Sequence, residues 1–397
     1  MKTVVLAGGE PRNIRVLVPE GKSKHCLRLL GKPVIAYPME AVSSVLRGGE
    51  VVLVYTWDDV VVEARNHYRG YVRPVKQVGG GIEEAILSTE PYLHDTDYFL
   101  LVYGDLVFDK EALTTLLEVF YRQEPSAAIL TIPLEERFAP TYGVAVVDVS
   151  GNVERVIEKP VAREVSGLPA YTLGGVYILP TTILDMIKKE GSFPRALNKI
   201  ASTEKVVAVH WGGLWIDIGY PTDLLEATTL LLDKTKGLWV SDKAVVESNT
   251  IIKPPAIIDD GAYIDHNAVI KGPVYIGKNT FIGAHSFVRH YTSIEEKVRV
   301  GAYTEVKHSI IQPYTVIDSH CFIGDSIVGE NTSIGSHVVT QNVLPSQETP
   351  PRLREQLVYI VKPGAKYKLG AIIGYNTRIS PGKILSPAQT IQPNTIY

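Results

Sequence analysis

The second half of the chain carries a branched aliphatic residue at every sixth position. The uninterrupted series is Val246, Ile252, Ile258, Ile264, Ile270, Ile276, Ile282, Val288, Ile294, Val300 and Val306. Four positions after each member stands a small or branched residue, such as Thr250, Ala256 or Ala262. Apolar residues recur every three or four positions in an amphipathic helix and every two in a half-buried strand, so this period excludes both. It predicts a solenoid, in which short strands turn a corner every six residues and stack into columns.

The repeat begins after a predicted helix, and its phase slips twice. Residues 221–232 have the pattern of a helix with Pro221 in its first turn, and Gly237 is predicted to end it. We therefore divide the chain into a first domain at residues 1–236 and the solenoid at residues 237–397. Within the solenoid the phase slips by one residue before Ile311 and again before Val328. Such slips are typical of a loop or a bend.

The first domain alternates apolar runs with helix-like segments. The runs cover residues 3–6, 51–55, 98–103, 127–132 and 143–149. This alternation predicts an α/β domain with a mostly parallel sheet covered by helices. Ligands of such sheets bind beyond the carboxyl ends of the strands, so we search those ends for chemistry.

Charge, cysteine content and hydropathy narrow the class of partner. The formal net charge is −3 and the charged residues are interspersed, which argues against a nucleic-acid or anionic-membrane surface. The amino-terminal apolar run is too short for a signal peptide, and no later stretch approaches the ~20 apolar residues that span a bilayer. Cys26 and Cys321 fit free thiols in a reducing compartment. We therefore expect a cytoplasmic protein, and small-molecule chemistry stays open.

Glycines and a lysine near the amino terminus fit phosphate or nucleotide binding. The first run ends in Leu6-Ala7-Gly8-Gly9, where glycines let backbone N–H groups approach a nucleotide. Lys24, farther along, carries a charge that neutralises phosphate oxygens. Each feature also has a plainer interpretation, because glycines after a strand often form a turn and a single lysine is often a solvated surface charge.

Two aspartates form a candidate metal site. Asp105 follows the apolar run 98–103 and Gly104, at the mouth of a predicted buried strand, and Asp217 precedes the helix at 221–232. Mg²⁺ prefers one or two carboxylates together with substrate phosphates. Each aspartate alone also fits a turn or a helix cap. Together and in this order they predict a Mg²⁺ site.

A series of short motifs runs along the first domain: Leu6-Ala7-Gly8-Gly9, Lys24, Gly31-Lys32-Pro33, Gln77 with Gly81, Gly104-Asp105, Tyr142-Gly143-Val144, Glu158-Lys159-Pro160, Gly175-Val176-Tyr177 and Trp215 to Gly219. In this order the motifs resemble those of the sugar nucleotidylyltransferases, which implies that the first domain is an α/β nucleotide-binding (Rossmann-like) domain. The solenoid resembles the hexapeptide-repeat left-handed β-helix. Taken whole, the chain is similar to archaeal bifunctional enzymes that combine sugar-1-phosphate nucleotidylyltransferase and amino-sugar acetyltransferase activities.

The resemblance implies a reaction and a set of site residues. The phosphate of a sugar 1-phosphate attacks the α-phosphorus of a nucleoside triphosphate and expels pyrophosphate, with Mg²⁺ on Asp105 and Asp217 and with Lys24 supplying charge. Gln77 and Gly81 are expected at the base, near Gly8, and Glu158 and Lys159 at the sugar and its phosphate. The implied substrate-binding set is Ala7, Gly8, Gln77, Gly81, Gly104, Gly143, Glu158, Lys159 and Gly175. The nucleobase and the sugar stay open, with uridine, thymidine or guanosine triphosphate as the first candidates.

The chain departs from the family pattern in its first domain. Residues 10–15 read Glu-Pro-Arg-Asn-Ile-Arg where a Gly-x-Gly-Thr-Arg loop is expected, so Arg12 or Arg15 takes the place of the family arginine, and Arg15 is included in the predicted catalytic set with Lys24 and Asp105. Gly81-Ile82-Glu83 stands in place of the base-contacting Gly-Thr-Ala segment, which removes the threonine hydroxyl. Leu173 replaces an asparagine expected at the sugar.

The acetyltransferase signature is altered further. Ser319 stands at the position of a catalytic histidine and Phe322 at that of a tyrosine, while Asn342 is retained. His320 is predicted to point to the other side of its strand, and the expected lysines are absent from residues 344–351. We therefore favour an active nucleotidylyltransferase with a structural β-helix, forming a trimer or a multiple of one. A non-catalytic regulatory subunit and a bifunctional enzyme are the alternatives.

Overall fold

The computed structural model describes residues 1–46, 48–343 and 368–397. By their contacts these residues form two compact units. The first comprises Met1–Glu10 and Val34–Asp217, and the second comprises Pro11–Pro33 and Ile218–Tyr397. Residues 344–351, where the sequence lacks the expected lysines, lie outside the described part of the chain.

Strands and helices alternate up to residue 233, as the sequence predicts. In chain order the elements are β1 (Lys2–Ala7), β2 (Arg28–Leu29), β3 (Lys32–Pro33), α1 (Ala36–Leu46), β4 (Glu50–Tyr55), α2 (Asp59–Asn66), β5 (Tyr71–Lys76), α3 (Ile82–Leu87), β6 (Tyr98–Tyr103), β7 (Leu106–Phe108), α4 (Lys110–Gln123), β8 (Ala127–Pro133), β9 (Gly143–Val147), β10 (Val153–Glu158), α5 (Ala162–Val165), β11 (Ala170–Pro180), α6 (Ile183–Glu190), α7 (Phe193–Thr203), β12 (Val206–His210), β13 (Trp215–Asp217) and α8 (Pro221–Asp233).

The first unit is built on a nine-stranded sheet. Its order is β10-β9-β11-β6-β1-β4-β5, and β8 joins β11 to β12. Strands β6, β1, β4 and β5 are parallel neighbours, whereas β11 runs antiparallel to β6, β8 and β9. Strands β7 and β13 form a separate antiparallel ribbon. The predicted α/β architecture is therefore confirmed, and its parallel strands share one carboxyl edge.

Burial on both faces explains the composition of the parallel strands. Val4, Val52, Phe99 and Leu101 have no exposed surface and belong to one apolar cluster. Strands covered by helices on both sides are nearly continuous apolar runs rather than alternating ones. This is the pattern from which the sequence predicts them.

The second unit contains the solenoid, whose strands lie in three parallel sheets. Its strands are β14 (Leu238–Val240), β15 (Val245–Val246), β16 (Ile251–Lys253), β17 (Ala256–Ile258), β18 (Tyr263–Ile264), β19 (Val269–Lys271), β20 (Val274–Ile276), β21 (Phe281–Ile282), β22 (Phe287–Arg289), β23 (Thr292–Ile294), β24 (Arg299–Val300), β25 (Glu305–Lys307), β26 (Ile310–Ile311), β27 (Val316–Ile317), β28 (Phe322–Gly324), β29 (Ile327–Val328), β30 (Ser333–Ile334), β31 (Val339–Thr340), β32 (Ile372–Ile373), β33 (Arg378–Ile379), β34 (Ile384–Leu385) and β35 (Thr390–Ile391). Every third strand pairs with the next coil, which confirms the predicted left-handed β-helix.

The two slips in the repeat are coils that are one residue short. Ile276 pairs with Ile294, whereas Ile294 pairs with Ile311 and Ile311 with Val328, each one residue earlier than the preceding period requires. These residues remain buried in the column through both slips. A shortened corner therefore preserves the stacking.

The segment Pro11–Pro33 and helix α8 pack with the β-helix. Helix α8 confirms the helix predicted at residues 221–232, and it ends at Asp233, before Gly237. The division at residue 236 marks where the sequence pattern changes from alternating strands and helices to the period of six. It stays a prediction, because contacts assign α8 to the second unit.

Two further sequence features are visible. Among the described residues neither Cys26 nor Cys321 is in a disulfide; Cys26 is half-buried and Cys321 is buried. In the part of the chain that the structure describes, no helix is both long and apolar enough to cross a lipid bilayer.

Asp223 caps the amino end of α8 at a buried position. Its Oδ2 accepts hydrogen bonds from the N–H groups of Gly219 (2.8 Å) and Tyr220 (2.6 Å). Burial raises the pKa of this carboxyl to about 7, against the smaller lowering effect of the two N–H donors. A carboxyl whose folded-state pKa exceeds its unfolded value stabilises the fold at low pH and loses that contribution as pH rises to the folded pKa.

We expect the free energy of unfolding of the wild type, relative to an Asp223→Asn variant, to fall by about 4 kcal/mol between about pH 4 and pH 7. The reason is that the buried carboxyl must ionise over this range, whereas the amide does not titrate. Urea denaturation of both proteins at several pH values measures the difference. Parallel pH curves for the two proteins would contradict the account.

Candidate functional site

The carboxyl ends of β1 and β6 bring the first predicted residues together. Ala7 ends β1 and Gly8 follows it, while Gly104 and Asp105 follow β6. The two strands are parallel neighbours, and the N–H of Gly104 donates to the carbonyl of Leu6 at 2.8 Å. Two pairs of residues that are far apart in sequence thus lie at one edge of the sheet, where ligands of parallel sheets bind.

Gln77 connects Gly8 with Gly81. Its Nε2 donates to the carbonyl of Gly81 at 2.8 Å. A Cβ at Gly8 would lie 1.9 Å from Gln77 Oε1, so the close approach requires glycine at this position. Gln77 Oε1 is itself buried and has no hydrogen-bond partner among the described residues. This oxygen is an acceptor available to a ligand at the carboxyl ends of β1 and β5.

The ribbon of β7 and β13 brings Asp217 opposite the residue next to Asp105. Asp217 pairs with Leu106, the residue that follows Asp105. Opposed residues in such a ribbon are about 5 Å apart. Both aspartates are half-buried. Within residues 1–46, 48–343 and 368–397 no group of three or more histidine, cysteine and acidic residues is arranged to hold a metal ion. The pair can therefore supply only part of a coordination sphere.

A cavity of about 470 Å³ opens in the first unit. Five predicted residues line it: Gly143, Glu158, Lys159, Gly175 and Asp217. The remaining lining residues are Ile82, Glu83, Tyr103, Leu106, Thr141, Tyr142, Leu173, Tyr177, Ser192, Phe193, Pro194 and Trp215. The other predicted residues of this unit, Ala7, Gly8, Gln77, Gly81, Gly104 and Asp105, lie at or just beyond the carboxyl ends of β1, β5 and β6.

One wall of the cavity is formed where β9 and β10 pair. Glu158 ends β10 and lies opposite Gly143 on β9. A Cβ at Gly143 would lie 3.2 Å from Glu158 Oε2 and 2.8 Å from Leu173 Cδ1, so a larger residue would crowd this wall. The N–H of Lys159 donates to the carbonyl of Tyr142 at 3.1 Å. Because Glu158 and Lys159 are both exposed, they can reach a ligand.

An irregularity in β11 forms another wall. The pairing of β11 with β8 shifts between Leu173 and Tyr177, and Gly175 within the shift has φ +69°. The indole N–H of Trp215 donates to the carbonyl of Gly174 at 2.8 Å and thereby satisfies a carbonyl that the shifted pairing leaves over. Trp215, which lies two residues before Asp217 in the chain, thus holds the bulge of β11 in place.

The electrostatics of the cavity are acidic. Glu83, Glu158 and Asp217 face a single lysine, Lys159. Tyr103 and Tyr177, whose rings are 5.8 Å apart, lie at its base, and burial raises the pKa of both phenols. Neutral phenols and carboxylates suit hydroxyl groups, and the excess negative charge suits a bound cation.

Sequence reasoning missed several lining residues. Glu83 was noted only as a departure, yet its Oε1 accepts the N–H of Phe193 at 3.0 Å and joins α3 to the start of α7. Tyr103 and Tyr177 meet across the β6–β11 pairing. Tyr103 ends an apolar run that gives no signal of a site, whereas Tyr142, Tyr177 and Trp215 lie inside motifs of the resemblance, without a role assigned to them from sequence.

Lys24, Arg12 and Arg15 lie in the second unit. Lys24 Nζ donates to the carbonyl of Ile218 at 3.3 Å, and Ile218 directly follows Asp217 in the chain. Arg12 and Arg15 are both exposed. The structure therefore does not choose between the two arginines.

The β-helix positions considered for acetyl transfer have their own contacts. His320 is not directed across a strand; it lies exposed at a corner with φ +62°, stacked between Tyr303 and His337. Asn342 Nδ2 donates to Asp325 Oδ2 at 2.5 Å.

Comparisons with known proteins agree with this geometry. Residues 2–234 match the family described as Nucleotidyl transferase, and residues 270–348 match the GMPPB C-terminal domain. A bifunctional protein GlmU of Methanocaldococcus jannaschii is 30% identical over 95% of this chain and 88% of its own length. A bifunctional sugar-1-phosphate nucleotidylyltransferase/acetyltransferase of Sulfurisphaera tokodaii is 28% identical over 100% of this chain and 97% of its own length.

A solved structure shows the same fold over part of this chain. It is a UDP-glucose pyrophosphorylase from Acinetobacter baumannii with a TM-score of 0.50 and 19% identity, covering 59% of this chain and 93% of that one. The family match extends over more than half of the chain and includes the Asp105 and Asp217 ribbon together with the cavity. This chain belongs to the nucleotidyl transferase family.

Proposed function

We propose that this protein transfers a nucleotidyl group from a nucleoside triphosphate to a sugar 1-phosphate, releasing pyrophosphate and forming a nucleotide sugar. The observation that carries the proposal is the register of β13 against β7, which pairs Asp217 with the neighbour of Asp105 beside a cavity lined by Glu158 and Lys159. The relative from Sulfurisphaera tokodaii, which matches over 100% of this chain, is named as a sugar-1-phosphate nucleotidylyltransferase/acetyltransferase.

The two aspartates fit Mg²⁺. Both are carboxylates, the donors this hard cation prefers, and a site with only two protein carboxylates leaves coordination positions for phosphate oxygens. When bound, Mg²⁺ neutralises the charge that develops on the phosphates. The contribution of Asp105 and Asp217 is to hold it at the carboxyl end of β6.

The substrates divide between two regions of the first unit. The cluster of Gly8, Gln77 and Gly81 supplies backbone groups and one free acceptor oxygen, and we place the nucleobase there. The cavity supplies Glu158 for sugar hydroxyls and Lys159 for the sugar phosphate, with Gly143 and Gly175 leaving room. Ala7 and Gly104 complete the strand edge between these regions.

Lys24 and Arg15 are proposed as the cationic groups that act on the triphosphate. The support is the resemblance of their sequence positions to the family motif, together with the bond from Lys24 to the carbonyl that follows Asp217. A charged group of this kind lowers the barrier by matching charge that develops in the transition state.

The β-helix is proposed as a structural and oligomerisation domain without acetyltransferase activity. Ser319 and Phe322 lack the imidazole and phenol expected for that chemistry, and His320 is engaged in a stack of rings. Two cysteines outside any disulfide of the described residues fit a reducing compartment, and we place the reaction in the cytoplasm.

Asp105→Asn should lower turnover by at least about 100-fold, because a metal ligand contributes several kcal/mol of charge stabilisation. Its melting temperature should stay within about 2 °C of the wild type, since the substitution preserves shape. Asp97→Asn, at the exposed amino end of the same strand, is the matched control and should keep full activity. Retained activity in Asp105→Asn removes the metal assignment.

Lys159→Met should raise KM for the sugar 1-phosphate about 10-fold or more, because one charge-assisted hydrogen bond is lost. KM for the nucleoside triphosphate should change little. Lys189→Met, on the exposed face of α6, serves as the control. Steady-state kinetics with each substrate varied in turn measures both constants, and an equal rise in the two KM values counts against the placement of Lys159.

The protein should be a trimer or a multiple of one, because stacked β-helix coils present flat faces that can associate. Light scattering coupled to size exclusion should give at least three times the chain mass of 43.6 kDa. A clean monomer at micromolar concentration refutes this prediction.

A further inference from the structure

A short hairpin from the amino-terminal segment is held on the β-helix by two buried polar side chains. The hairpin is formed by β2 and β3, with Leu30 and Gly31 at its turn. Glu295 and Gln312, one coil apart on the β-helix, are each no more than 1% exposed. Both direct their polar atoms at the hairpin backbone.

Glu295 binds the turn of the hairpin. Its Oε1 accepts the N–H of Leu30 at 3.0 Å and the hydroxyl of Ser293 at 2.6 Å, and its Oε2 accepts the N–H of Gly31 at 2.8 Å. A buried carboxylate is tolerated only when such donors satisfy it. Burial still raises the pKa of Glu295 to about 7. The carboxyl is thus kept inside the β-helix at an energetic cost.

Gln312 binds the strand before the turn. Its Oε1 accepts the N–H of Arg28 at 2.9 Å, and its Nε2 donates to the carbonyl of Arg28 at 2.8 Å. The amide side chain therefore replaces the backbone of a neighbouring strand. Tyr275 lies on the coil before this pair. Its hydroxyl occupies the space that a Cβ at position 31 would need, so only glycine fits there.

These two side chains stand where the flanking coils have glycine. Ile276, Ile294, Ile311 and Val328 are paired in one column, and the residues after them are Gly277, Glu295, Gln312 and Gly329. Neither Glu295 nor Gln312 is needed for the corner itself, because glycine serves in both neighbouring coils. Their contacts are with the hairpin.

The hairpin continues the segment that carries Lys24. Only three residues separate Lys24 from Arg28, and the N–H of Leu27 donates to the carbonyl of Lys24 at 3.1 Å. The ammonium of Lys24 in turn donates to the carbonyl of Ile218. A displacement of the hairpin therefore moves the backbone from which Lys24 extends.

We propose that Glu295 and Gln312 are positioning residues for nucleotidyl transfer, which hold the hairpin on the β-helix and thereby set the place of Lys24. The inference rests on the proposed function. It makes the β-helix a working part of the transferase rather than only a scaffold. Misplacement of a catalytic group by about 1 Å can cost on the order of 100-fold in rate.

The test compares Glu295→Ala, Glu295→Gln and Gln312→Leu with the wild type, using the pair of nucleoside triphosphate and sugar 1-phosphate that the wild type turns over. We expect kcat/KM for the triphosphate to fall about 100-fold in Glu295→Ala, with a rise in KM for the triphosphate as part of that fall. Glu295→Gln keeps one acceptor oxygen, so its loss should be smaller. KM for the sugar 1-phosphate should stay within about twofold of the wild type in all three, as Lys24 is assigned to the triphosphate.

Asp325→Asn is the matched control. Asp325 is another buried carboxylate of the β-helix, and it bonds with Lys307, His308 and Asn342 rather than with the hairpin. This variant should lower the melting temperature and leave both KM values unchanged. A purely structural role for Glu295 predicts the same pattern, a smaller active fraction with unchanged KM. The split between the two KM values therefore separates positioning from stability.

Hydrogen exchange of the peptide that covers the hairpin supplies a second readout. The amides of Arg28, Leu30 and Gly31 should exchange faster in the Glu295 and Gln312 variants than in the wild type or Asp325→Asn. Unchanged exchange, or faster exchange with unchanged kcat/KM for the triphosphate, overturns the positioning role. Wild-type protein that turns over no substrate pair contradicts the proposed function instead.

Discussion

Backbone pairing at two places determines where chemistry can occur in this protein. The parallel register of β1 and β6 brings Gly8 and Asp105 to one sheet edge, and the ribbon of β7 and β13 adds Asp217. These residues come from three distant parts of the sequence. No side-chain contact has to assemble them, because the hydrogen-bonded strands do so. The acidic cavity next to Asp217 then follows from the bulge that Trp215 holds at Gly174.

The second unit depends on the same kind of constraint in a simpler form. Each coil of the β-helix pairs with the next through parallel strands, and the buried column tolerates a shortened corner. A corner position is therefore free to vary as long as the column residue before it stays apolar. Glu295 and Gln312 occupy two such positions, and their side chains hold a hairpin that no repeat pattern would require.

The sequence predicts the parts of the structure that rest on local periodicity. The period of six gives the β-helix, and the slips before Ile311 and Val328 give its short coils. Continuous apolar runs give the parallel strands, so Asp105 can be placed at a strand end. What the sequence does not predict is contact across long separations between residues without a repeating pattern. Glu83 on Phe193 and Glu295 on the turn at Leu30 are both of this kind.

The most direct test of the account is pyrophosphate release by the purified protein with Mg²⁺, across four nucleoside triphosphates and three sugar 1-phosphates. Release should be confined to particular pairs, because Gln77 is proposed to contact the base and the cavity is proposed to bind the sugar. No release with any pair, from folded protein, would contradict the proposed reaction and favour the alternative of a non-catalytic regulatory subunit.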